Sequence, residues 1–403
     1  MESEPFPPGL AECLAFPLVD ALVGRRSRRF ARGAAIVDGP FAFTSRHPPL
    51  PLTELEQLVV LSAAAGNTGW HFLHPHSAHS APRLPSYAAT ASGRTFPSIA
   101  GWHSTELFFT DDTGVYQFAT RAGPALVEPA ADGTIDPVQF LEVHRQCIRR
   151  LEGGRLHLPA DTYVSPHNAW CANLPGSTVL IPVSDVARQL IASFCLAVQR
   201  GKAVVDDVHG ELLGDAAACR RFRSGDEPWP LSVLEQEVLT GSAADQAMMG
   251  FAGMLMLQAM GLGGWIYSGM DGLAVLGGSG DAAVPGLGFH VARDGRWAAP
   301  NPTGRSGVFP GHCPPHYPDM RAAVAAYVSE QFGPGGPFDP GTPGPWRESA
   351  AVRGGAQPYD EEFVACVAAM AQQVYDRFGK FPGTVPSMLV TVYLQAHHLD
   401  LEF

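Results

Sequence analysis

The chain is short of charge. Asp, Glu, Lys and Arg together make up 16% of 403 residues, and the balance is acidic at a net −12. A general nucleic-acid surface needs a basic excess, so composition argues against one, and an anionic ligand would need a local basic site. CxxC pairs are missing: Cys13, Cys147, Cys171, Cys195, Cys219, Cys313 and Cys366 lie far apart. An odd count without disulfide-like spacing predicts reduced thiols in a cytoplasm. The opening MESEPFPPGLAEC is acidic and Pro-rich, unlike a signal peptide. Ser27-Arg28-Arg29-Phe30 has a superficial twin-arginine look, but the apolar stretch after it is short and broken by Asp38 and Pro40. There is no Ser-His-Asp or paired-carboxylate signature. Gly277-Gly278-Ser279-Gly280 lacks the strand-to-helix setting and the lysine of a phosphate loop, so it is predicted to be a plain loop. Internal repeats and low-complexity tracts are also lacking.

Apolar residues are plentiful at 46%, and Gly (44) and Pro (36) punctuate them. A chain of this length can bury a sizeable core, as two domains or one large decorated domain. The organising stretch is Ser242 to Ser268. From Ala247 to Met260 the helical faces are apolar all round, which predicts a helix buried on every side. Gly250 and Gly253 predict close backbone packing. Ser242 and Asp245 suit the helix start, and Gly261 suits its C-terminal end. Gln258 and the lack of flanking Lys or Arg argue against a membrane span.

Other elements follow from local pattern. Leu14 to Val23 predicts a short helix. Thr53 and Glu56 have capping-box spacing before a helix ending at Gly66. Ser104–Phe109 and Val115–Phe118 predict a hairpin around Asp111-Asp112-Thr113-Gly114. Pro137 to Leu151 predicts a helix, Ser177 to Val183 a buried strand, and Asp185 to Val198 a helix. Leu287 to Val291 predicts a last core strand. Beyond two Pro/Gly-rich stretches, helices are expected over Asp319–Phe332, Asp360–Phe378 and Leu389–His398.

Two clusters carry candidate chemistry. Arg25-Arg26-Ser27-Arg28-Arg29-Phe30 gathers four guanidiniums around one hydroxyl on a charge-poor chain, a composition suited to gripping phosphate. His71, His74, His76 and His79 form a histidine group whose spacing fits no metal motif and has no adjacent Cys or carboxylate. Loop histidines lining a pocket or surface are the expectation there, and a metal hydrolase is the weaker reading.

The order of these pieces resembles the nitroreductase superfamily. Arg25 to Phe30 is similar to the opening RRSxRxF of that family, and Gln258-Ala259-Met260-Gly261-Leu262-Gly263-Gly264-Trp265-Ile266 to its AxxLGLGxxWI. Leu61 to Gly66 with Gly93-Arg94-Thr95-Phe96-Pro97-Ser98 resembles the azoline-oxidase (SagB-type) branch. The likeness spans roughly residues 20 to 295. The opening motif is one residue short before Phe30, Ile99 is extra, and the stretch from Ala119 to Asn173 is long.

The resemblance implies an α+β fold, a mixed and mainly antiparallel sheet flanked by helices, with a domain over 1–299 carrying an insertion around 119–175. Residues 300–403 would be a Pro/Gly-rich linker and helical C-terminal extension. It implies an FMN-dependent oxidoreductase, an intertwined homodimer with flavin at the interface, NAD(P)H as a candidate electron donor, and a small-molecule or peptide substrate. Arg25, Ser27 and Arg29 would hold the phosphate, with Arg26 beside them. Pro97 and Ser98 would lie near the ring, where Asn67, Trp70 and His71 are further candidates. Gly261, Leu262 and Gly263 would offer backbone amides to its pyrimidine edge. Tyr267 and His103 are pocket candidates. Flavin carries its own hydride chemistry, so no catalytic acid–base pair and no metal are required of the protein. The competing reading is a redox-inactive binding or accessory protein of the same fold.

Overall fold

The computed structural model describes residues 8–70, 92–121, 134–214, 216–225, 227–342, 348–356 and 358–403. The fold is α+β, a mainly antiparallel sheet flanked by helices. Its main sheet has seven strands: β1 (Thr105–Thr110), β2 (Gly114–Phe118), β3 (Ile148–Gly153), β4 (Thr178–Asp185), β5 (Gly263–Tyr267), β6 (Met388–Leu389) and β7 (Tyr393–His397). The order is β5-β7-β4-β1-β2-β3, with β6 also on β4, and every pairing is antiparallel.

Alternation along the central strands fills both faces. Phe108, Val179, Ile181 and Val183 enter one core, with Trp265, Phe289 and Tyr393. Leu107, Phe109 and Leu180 enter the other, against Val60, Leu61, Met254 and Leu257. Buried on both sides, β1 and β4 read as continuous apolar runs. The longer helices are α1 (Leu18–Gly24), α2 (Glu54–Ala65), α3 (Pro137–Arg145), α4 (Val186–Gln199), α5 (Leu231–Ala259), α6 (Met320–Phe332) and α7 (Glu361–Phe378). Parts of α4, α5, α6 and α7 share a third core.

Helix starts are written in capping residues. Thr53 and Glu56 close a reciprocal capping box on α2, and Asp185, Asp319 and Asp360 cap α4, α6 and α7. Replacing Thr53 by alanine should cost about 1 kcal/mol in urea unfolding, the usual worth of an N-cap.

The central helix α5 is longer than its apolar pattern predicts, 29 residues from Leu231. Ser242 and Asp245 lie in its interior. They belong to a buried polar stripe whose members all find partners. Glu235 accepts from the Gly383 and Thr384 amides at 2.6 and 2.7 Å. Ser242 donates to Gln189 at 2.7 Å. Asp245 accepts from Ser98, and Gln246 joins Ser184, Leu389 and Thr391. Polar residues that look like a helix start in sequence are here the bonds that fasten α5 to its neighbours. The two glycines do mark close approach. A Cβ at Gly253 would meet Leu394 at 2.5 Å, and one at Gly250 would meet Ile266 at 3.2 Å.

Four further expectations are corrected. Leu14 to Val23 is not one helix: a short turn over Leu10–Leu14 precedes α1. The helix from Pro137 stops at Arg145, because the chain turns there to give β3 to the sheet edge. The predicted helix over Leu389–His398 is strand instead. β7 inserts between β5 and β4 and is buried throughout, so the alternation Tyr393, Gln395, His397 against Leu394, Ala396 serves two sheet faces. Leu287 to Val291 gives only His290–Ala292, in a small separate sheet with Asn301–Arg305. The expectation that all thiols are reduced also fails. Cys219 and Cys366, 147 residues apart, are joined as a disulfide, because packing of a short helix on α7 brings them together. The other five cysteines are free. Among the described residues no helix is long and apolar enough to cross a membrane.

Candidate functional site

The basic turn and the turn after α5 meet. Gly24, at the end of α1, lies against Gln258 near the end of α5. From there the chain passes along β5, and the Arg28 amide donates to the Gly264 carbonyl at 3.1 Å. Arg29 stacks its guanidinium over the Trp265 ring, 4.6 Å from the centroid. Arg26 turns back and donates to the Val23 and Arg25 carbonyls at 3.0 and 2.9 Å, closing the end of α1. Among the described residues, Arg25, Arg28 and Arg29 make no ion pair with a carboxylate. On a chain of net charge −12 that leaves an unneutralised basic patch.

Beside the patch is a cavity of about 570 Å³, bordered by Ser27, Arg28, Arg29 and Asp400 and walled by aromatic rings. Phe30 stacks on Phe403 at 4.3 Å and meets Trp170 at 6.1 Å. The volume falls in the range of pockets that hold small ligands and cofactors. Close packing behind it demands glycine. A Cβ at Gly263 would lie 2.6 Å from the His397 ring, and one at Gly264 would lie 2.8 Å from the Gln395 carbonyl. Burial, partly offset by the Arg28 backbone, depresses the His397 imidazole to about 4, so it is neutral. Gly264→Ala should cost about 1–3 kcal/mol through overpacking against backbone, read as a lowered urea midpoint.

The amides assigned to a pyrimidine edge are partly spent. Gly261 N donates to Gln258 O at 3.3 Å and Leu262 N to Leu257 O at 2.9 Å. Gly261, at φ +70°, terminates α5 in the left-handed conformation, so these two amides close the helix. Gly263 pairs with His397 in the sheet.

A second group of expected site residues lies elsewhere. Asp245, which Ser98 contacts at 2.8 Å, is 15 residues back along α5 from Met260, about 22 Å at helical rise. Ser98 also accepts from the His103 amide at 3.1 Å. Burial pushes the Asp245 carboxyl up to about 7, against the pull of the Ser98 hydroxyl. Pro97 is exposed beside it. Asn67 is buried; its backbone amide donates to His144 Nε2 at 2.7 Å and its Nδ2 donates to the Thr120 carbonyl at 3.1 Å. Tyr267 is buried against Trp265, with ring centroids 3.9 Å apart. Within one chain, then, Arg25, Ser27 and Arg29 stand with Gly261, Leu262 and Gly263, while Asn67, Pro97 and Ser98 stand apart from them.

His71, His74, His76 and His79 lie outside the described residues. Among the described residues no group of three or more His, Cys, Asp or Glu could hold a metal ion. The C-terminal wall of the cavity, Leu399 to Phe403, escaped sequence reasoning, because nothing in HHLDLEF signals that β7 delivers it to the arginines.

No family model and no curated protein matches this chain. Among solved structures it is similar to a Ralstonia eutropha JMP134 protein described as a "putative nitroreductase". The identity is 16%, over 64% of this chain and 71% of that one, with a TM-score of 0.29. A likeness that loose carries no argument about fold or chemistry.

Proposed function

We propose that this protein is an FMN-dependent oxidoreductase of nitroreductase type. The observation that carries the reading is the contact of the unpaired arginine turn with the β5 glycines beside an aromatic-walled cavity. Arg25, Ser27 and Arg29 would hold the phosphate, since guanidinium forks and a hydroxyl match its oxygens. Arg26 supports the turn. When bound, the flavin supplies hydride chemistry at its N5. The protein's share is to orient it and to keep water from it, with Phe30, Trp170 and Phe403 as the apolar wall. The electron donor on this reading is NAD(P)H or the substrate itself, a small molecule or a peptide.

Pro97 and Ser98, about 22 Å away along α5, could reach the same flavin only from a second copy. A homodimer is therefore part of the proposal. Exposed apolar side chains support it: Leu18, Val19 and Val23 on α1 are 65, 67 and 68% exposed, and Met248 and Phe251 on α5 are also exposed. The test is a purified sample titrated with FMN and sized by light scattering. Saturable binding with a dimeric mass supports the reading; a colourless monomer that takes up no FMN overturns it. The redox-inactive reading draws on one observation, the two amides already spent at Gly261 and Leu262. It predicts binding without turnover.

A further inference from the structure

At the opposite end of the sheet, three guanidiniums lie near one another. β4 runs from Thr178, beside the β7 residue Ala396, to Asp185, beside Met388. The arginine turn lies at the first end, and Arg94, Arg121 and Arg188 at the second. Arg94 ends a short strand paired with Asn67, Arg121 follows β2, and Arg188 is in the first turn of α4.

Their neutralisation is incomplete. Glu330 on α6 lies 3.3 Å from Arg188 and 3.8 Å from Arg121. The same carboxylate also takes His312 Nε2 at 3.0 Å, while Asp185 holds the other ring nitrogen at 2.7 Å. One carboxylate thus faces three cationic or potentially cationic partners. Glu106 is near, but its oxygens are spent on the Thr120 amide and hydroxyl and the Arg121 amide, at 2.9, 3.1 and 3.3 Å. Neither Arg94 nor Arg121 forms an ion pair with it.

Donors are left over as a result. Arg94 Nε, Arg94 Nη1 and Arg121 Nη1 are buried and, among the described residues, have no hydrogen-bond partner. Arg188 itself is 7% exposed in its side chain and is anchored by the Trp102 carbonyl at 3.1 Å. Burial and the neighbouring charges of Arg121 and Arg188 lower the Arg94 guanidinium to about 10, against the opposing pull of Glu106. Buried donors without acceptors are costly, and like charges this close add to the cost. An acceptor of negative charge removes both penalties.

We propose that Arg94, Arg121 and Arg188 form a second anion site, one that takes a single small oxyanion, a carboxylate or a phosphate group. Within one chain the site lies at the other end of β4 from Arg25 to Arg29; it borders the Pro97–Ser98 loop, so FMN affinity is measured alongside to separate the two sites.

The experiment is calorimetric titration of the full chain, together with its melting temperature, using inorganic phosphate and acetate against chloride at matched ionic strength. Saturable binding of either oxyanion is expected, and the two arms tell a phosphorylated ligand from a carboxylate. Arg121→Gln should weaken it tenfold or more, with FMN affinity unchanged. Arg94→Gln should do the same. Should Arg94→Gln fail to fold, Arg121→Gln still decides, because Arg121 lies at the rim with 18% of its side chain exposed. The proposal is overturned if both oxyanions behave as chloride does, or if Arg121→Gln binds them as the parent does. It is also overturned if Arg121→Gln loses FMN, since the cluster would then belong to the flavin site.

Discussion

Replacing Arg25 and Arg29 together by alanine should weaken FMN binding a hundredfold or more. Each charge-assisted contact to a phosphate oxygen contributes about 1.5–3 kcal/mol, and each factor of ten in affinity is about 1.4 kcal/mol. The fold should survive, because Arg29 is exposed and Arg25 only half-buried. What Arg29 loses besides is its stacking on Trp265, worth about 0.5–1 kcal/mol at an exposed position. Arg26→Ala is the contrast. Its guanidinium is committed to the Val23 and Arg25 carbonyls, so the effect should be smaller and should act through the end of α1. A fluorescence titration at two salt concentrations separates these cases. The parent's affinity should fall with salt, and the double variant's should fall less. Unchanged affinity in the double variant would mean that the phosphate is held elsewhere, and the flavin reading would lose its main support.

The parts of this fold legible in the sequence are those set by local rules. The Thr53–Glu56 box, the Asp caps of α4, α6 and α7, and the hairpin at Asp111–Gly114 each depend on residues within one turn of each other. What stayed hidden depends on partners far along the chain. Gln395 looks like a polar residue on a C-terminal helix until Cys171 and Asn173, more than 220 residues earlier, bond its side chain inside the sheet. The Cys219–Cys366 bond is hidden for the same reason. The candidate site divides likewise. Arg28 meets Gly264 through strand pairing that the apolar pattern of β5 hints at. Nothing local says that Leu399 to Phe403 completes the cavity, or that Arg94 and Arg121 meet Arg188. Those encounters are set by which strand lies beside which, and strand order is not written in periodicity.

Asp245 gives the second large effect, on stability. Its carboxyl is buried in the interior of α5, with the Ser98 hydroxyl donating to one oxygen at 2.8 Å. In the folded chain its pKa is raised to about 7 from an ordinary 3.8. A raised acid favours the folded state fully only below the unfolded value, and that advantage is lost as pH rises through the folded value. The window is therefore about pH 4 to 7, and above it the penalty of holding a buried carboxylate is complete. Three units correspond to about 4 kcal/mol at 1.36 kcal/mol each. Asp245→Asn keeps an acceptor for the Ser98 hydroxyl and cannot ionise. It should therefore be more stable than the parent at pH 8 by up to about 4 kcal/mol, and about equal to it at pH 4. Ser98→Ala removes the bond that favours the carboxylate, so it should lower stability at pH 8 and leave the acid end nearly unchanged. Urea unfolding at the two pH values reads both variants. A gain in Asp245→Asn that is the same at pH 4 and pH 8 would mean that ionisation at this position is not what costs the fold its stability, and that packing around Ser98 decides it instead.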